Sequence, residues 1–71
     1  IDRLAVLDDA IWIVDYKTNR PAPETPEQVP RVYRNQLATY RRLVQRIWPG
    51  RTVETWLLWT DGPRMMRITD T

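Results

Sequence analysis

The sequence predicts an α/β (α+β) fold in the order strand, strand, helix, strand, strand, built around one main helix. Three observations carry that expectation. Apolar, β-branched runs at residues 1–7 and 11–17 flank an Asp8-Asp9 turn. Tyr33, Leu37, Tyr40, Val44 and Ile47 recur at the spacing of one helical face. Residues 52–60 and 64–68 are two further strand-like runs on either side of Asp61-Gly62, a hairpin signal.

Taken in order, the first two runs read as a hairpin. If Val6 lies opposite Ile11, then Leu4 faces Ile13 and Asp2 faces Asp15, and directly opposite residues share a face. That register gathers Leu4, Val6, Ile11 and Ile13 into one apolar patch with Asp2, Asp15 and Lys17 at its far end. Residues 18–30 hold four of the six prolines (Pro21, Pro23, Pro26, Pro30) and no apolar periodicity, which predicts an extended surface loop. Pro30 suits the first turn of a helix, and Trp48-Pro49-Gly50 ends it. The centre of the next run, Trp56-Leu57-Leu58-Trp59, is apolar at every position, so this strand is expected to be covered on both sides.

At 71 residues the chain has room for one small domain. Cys and His are both zero, and Ser does not occur. Disulfides, Cys/His zinc sites, thiol nucleophiles, histidine bases and Ser-His-Asp triads are therefore excluded. Chemistry is left to Asp, Glu, Lys, Tyr, Thr or Arg, or to a metal held by oxygen. The formal charge is +2, made of Lys17 and ten Arg against nine acidic residues. An Arg bias suits phosphate and base contacts; an Arg-rich codon usage would produce the same bias. No apolar stretch approaches the ~18–20 residues of a membrane span. The lack of Cys fits a reducing cytoplasm, and an opening at Ile1 inside an apolar run reads as a piece of a longer protein.

Asp15 and Lys17 are two apart on a strand and so project from one face. Such a pair can seat a divalent cation and orient a water; it is equally what an exposed ion pair on a strand looks like. With Asp2 opposite, two carboxylates, a backbone carbonyl and waters suit Mg²⁺, which keeps several waters. On the helix, Gln36 and Tyr40 lie one turn apart on the face turned to the sheet. Their alternatives are an amide satisfying a backbone group and a core ring with its hydroxyl at the edge. Arg31, Arg34, Arg41 and Arg42 fall within about a third of the helical circumference on the other side. That stripe reads as a phosphate-contacting face or as a solvated one.

Ile1-Asp2-Arg3-Leu4, then Val14-Asp15-Tyr16-Lys17-Thr18-Asn19, then Gln36-Leu37-Ala38-Thr39-Tyr40 together resemble the RecB-like branch of the PD-(D/E)xK nucleases. The likeness extends to Leu57-Leu58-Trp59-Thr60-Asp61-Gly62-Pro63 and is to the nuclease domain at the C-terminus of AddA-type helicase–nuclease subunits. It implies a truncated restriction-endonuclease-like core with a mixed sheet, residues 1–71 being the C-terminal portion of that domain. It also implies Mg²⁺-dependent DNA phosphodiester hydrolysis in double-strand break repair and recombination. Asp2, Asp15 and the backbone carbonyl of Tyr16 then match metal ligands, and Lys17 matches the residue that positions the attacking water. Gln36 and Tyr40 match a motif along the DNA path; Arg34 and Arg41, from the Arg stripe, are the further DNA contacts expected if that stripe meets phosphates. The family's upstream helix, strand and metal-binding His are not in this sequence, so the chain by itself is expected to be nearly silent. ATP would act only on parts of the protein not present here. Implied partners are DNA, a second helicase–nuclease subunit, and self-association through an exposed sheet edge. A different class of function stands beside this one: a non-catalytic nucleic-acid-binding or assembly module using the Arg-rich helix.

Overall fold

A computed structural model describes residues 3–69. Its elements are β1 (Arg3–Val6), β2 (Ala10–Lys17), a 3-10 turn (Pro26–Gln28), α1 (Arg31–Ile47), β3 (Thr52–Trp59) and β4 (Arg64–Ile68). The fold is α+β: one four-stranded mixed sheet in the order β1-β2-β3-β4 with one main helix on it. Val6 pairs with Ile11 and Leu4 with Ile13, the register expected of the hairpin. β2 and β3 run parallel, with Ile11 opposite Val53 and Lys17 opposite Trp59. A parallel pair needs a long crossover, and α1 supplies it. β4 returns antiparallel to β3 through the turn at Gly62, whose φ of 67° lies in the left-handed region that glycine adopts without strain.

The core sits between α1 and one face of the sheet. That face carries Ile11, Ile13, Val53, Leu57, Trp59, Met66 and Ile68, and α1 contributes Leu37 and Val44. Asp15 and Thr55 are the buried polar residues of this face among the described residues, and the Thr55 hydroxyl donates to the Ile68 carbonyl at 2.6 Å. Burying a hydroxyl is tolerable only with such a partner.

Three expectations need correction. Residues 18–30 are not simply an extended surface loop, because the 3-10 turn folds the segment back and buries Val29 in the core with Ala22 packed beside it. Among the described residues β3 is covered on one side: alternate residues are buried, whereas Trp56 and Leu58 are half-exposed on the other face, where the Trp56 ring centroid lies 5.0 Å from that of Trp12. The apolar stripe of α1 is also narrower than its spacing suggests. Leu37 and Val44 are buried, but Ile47 is 65% exposed and Leu43 51%. The helix is rolled so that Arg34 and Arg41 are half-buried. The Arg stripe is thus not wholly on the opposite side. Because α1 packs on β2 and β3, the patch on β1 is left open, with Leu4 38% and Val6 50% exposed.

Candidate active site

Lys17 ends β2, and strand parity puts its side chain on the helix-covered face with Asp15. The ammonium Nζ stands 3.3 Å from Asp15 Oδ2, and the two side chains are 16% and 8% exposed. Screening by solvent is weak at such burial, so the attraction is stronger than in a surface pair. The Lys17 backbone is also pinned, since the Thr60 backbone N–H and hydroxyl both donate to its carbonyl, at 3.0 and 3.2 Å. Parallel pairing sets Leu57 and Trp59 beside Asp15 and Lys17, an apolar wall on that flank.

The helix completes the surroundings of the ammonium. Lys17 Nζ donates to Gln36 Oε1 at 3.2 Å, and Gln36 Nε2 donates to the Tyr40 hydroxyl at 3.2 Å. Sequence spacing placed Gln36 and Tyr40 together, and the structure joins both to Lys17. Tyr33 was legible in the sequence only as core, yet its ring lies under the same ammonium, 4.3 Å from Nζ to the centroid. The signal that could have found it is position: Tyr33 precedes Gln36 by three and Tyr40 by seven on one helical stripe.

Asp2 lies outside the described residues. Asp15 and the Tyr16 carbonyl are hard oxygen donors, of the kind Mg²⁺ prefers. Among the described residues there is no group of three or more acidic, His or Cys side chains that could hold a metal. The donors fit a partly hydrated Mg²⁺ and not a closed protein cage. Arg34 and Arg41 are placed elsewhere. At about 100° per residue they lie roughly 140–160° round α1 from Gln36. Arg34 lines an open cleft of about 430 Å³ with Glu27, Val29 and Arg31.

The model of one protein family, the PD-(D/E)XK nuclease superfamily, matches residues 1–66. The chain belongs to this superfamily. Among curated proteins it is 36% identical over 57 residues to an ATP-dependent helicase/nuclease subunit of Anoxybacillus flavithermus (strain DSM 21510 / WK1). The match covers 78% of this chain and 5% of that relative, so the chain spans a small fraction of the relative's length. No solved structure matches. Membership supports a nuclease type of function, and no helix among the described residues is long and apolar enough to cross a membrane.

Proposed function

We propose that this chain is the C-terminal portion of a nuclease domain that hydrolyses DNA phosphodiester bonds with Mg²⁺, within a helicase–nuclease acting in double-strand break repair and recombination. The observation that carries the reading is the seat of Lys17, whose ammonium is held at once by Asp15 Oδ2 and Gln36 Oε1. A buried carboxylate and an ammonium at the end of β2, with an amide from α1 bonded to the ammonium, suit the handling of a water and of the negative charge that phosphodiester hydrolysis develops.

Asp15 and the Tyr16 carbonyl, with Asp2, would hold the metal. When bound, Mg²⁺ supplies Lewis acidity and lowers the pKa of water. Lys17 orients the attacking water and offsets the negative charge that grows on the phosphoryl oxygens. Gln36 keeps Lys17 aimed, and Tyr40 keeps Gln36 aimed; both lie along the path of the strand. Arg34 and Arg41, on the other flank of α1, contact phosphates farther from the scissile bond. DNA is the substrate, the relative's name suggests a partner subunit, and the cytoplasm is the expected setting.

The test exchanges the matched segment of the Anoxybacillus helicase/nuclease protein for this chain and follows Mg²⁺-dependent cleavage of DNA. The chimera should cut. Lys17→Ala should reduce cleavage by about 10²-fold or more, as removal of a transition-state electrostatic contact does, while DNA affinity changes little. Cleavage that survives Lys17→Ala contradicts the catalytic assignment. It would favour the binding-module reading, in which only substitutions on the Arg-rich face weaken DNA binding.

A further inference from the structure

We infer that Tyr33 is a positioning residue for Lys17, holding the ammonium over the face of its ring; this rests on the proposed catalytic role of Lys17. The ring centroid is 4.3 Å from Nζ, well inside the ~6 Å reach of a cation–π contact. The phenol is itself fixed at both ends. Its hydroxyl donates to Asn19 Oδ1 at 3.0 Å, and its ring packs against fully buried Trp59, with centroids 6.3 Å apart.

The contact supplies what the other two cannot. Asp15 draws the ammonium along the strand and Gln36 draws it toward α1, but a lysine ammonium rides on a flexible four-carbon stem with three rotatable donors. A ring face makes no directional hydrogen bond. Its attraction is lost once the ammonium leaves the ring face, and the ring excludes water from that side. Tyr33 thereby limits Lys17 to a small arc between Asp15 and Gln36. The ring, not the hydroxyl, does this, so Phe should serve where Leu should not.

Lys17 is the sole lysine in the chain, which makes its side chain a clean spectroscopic reporter. In ¹H–¹³C spectra of the chain, the Lys17 ε-methylene should be shifted upfield by the ring current. Tyr33→Phe should keep the shift and Tyr33→Leu should abolish it; an unshifted ε-methylene in the unmutated chain overturns the inference. In the chimera, Tyr33→Leu should lower kcat about tenfold with little change in KM, and Tyr33→Phe should restore most of the rate. If Lys17→Ala abolishes cleavage while Tyr33→Leu leaves kcat unchanged, Tyr33 does not position Lys17 although the nuclease reading stands. If Lys17→Ala itself leaves cleavage intact, the nuclease reading fails, and the spectra alone decide the Tyr33–Lys17 contact.

Discussion

Asp15 is the residue on which stability and the proposed chemistry meet. Its carboxylate is nearly buried and holds Lys17 at 3.3 Å, so Asp15→Asn removes a charge whose partner stays behind. That substitution should cost about 1–3 kcal/mol in urea unfolding, the price of an under-satisfied charged group, and should also abolish cleavage by the chimera. A purely structural Asp15 would give the first effect without the second. Gly62 offers a contrast in which only backbone matters. Its φ is 67° and an added Cβ meets nothing within 4 Å, so Gly62→Ala should cost about 1–2 kcal/mol, from conformation alone. An unchanged midpoint would contradict the left-handed turn. Much at this scale was readable from the chain. Strand parity put Asp15 and Lys17 on one face, and helical spacing put Gln36 beside Tyr40. The Tyr33–Lys17 contact was not legible, because it depends on how α1 is rolled on the sheet, which periodicity does not specify.

The elements themselves were largely legible, and the departures have one cause. Hydrophobic pattern reports which residues are apolar, not how many layers are available to cover them. The apolar stripe of α1 is broad, but a single helix on a four-stranded sheet buries only the line of contact through Leu37 and Val44. β3 looked two-sided for the same reason: Trp56 and Leu58 are apolar, yet no second layer covers them among the described residues. Energetics should follow burial and not hydrophobicity. Leu37→Ala, at a fully buried position, should cost about 2–5 kcal/mol, whereas Leu43→Ala, at a half-exposed one, should stay within about 0.5 kcal/mol. Equal effects at the two positions would mean that α1 is rolled differently. Leu37→Ala should also disturb the Lys17 environment, since α1 carries both Tyr33 and Gln36.

Among the described residues, the sheet carries a helix on one face and β1 lies at its edge, with Leu4, Val6 and Leu7 exposed near it. Edge strands with exposed apolar side chains invite pairing, so the chain should self-associate as concentration rises in light scattering. A strictly monomeric species at high concentration would contradict that. The β4 edge is better protected, carrying Arg64 and Arg67. The element order and the two hairpins were legible from the runs and turns; the mixed sheet and an exposed edge were expected only through the family resemblance, and the patch of Leu4 and Val6 that α1 leaves open was not legible, because it depends on where the helix sits on the sheet. In the proposed function the end of β2 and the middle of α1 form one metal-assisted hydrolytic site. Its most direct measurement is paramagnetic line broadening by substoichiometric Mn²⁺, standing in for Mg²⁺, in amide spectra of this chain. The amides of Asp15, Tyr16 and Lys17 and the side-chain amide of Gln36 should broaden first, and Asp15→Asn should remove the effect. Broadening that starts at Asp8-Asp9 or Glu24 to Glu27, and survives Asp15→Asn, would contradict it.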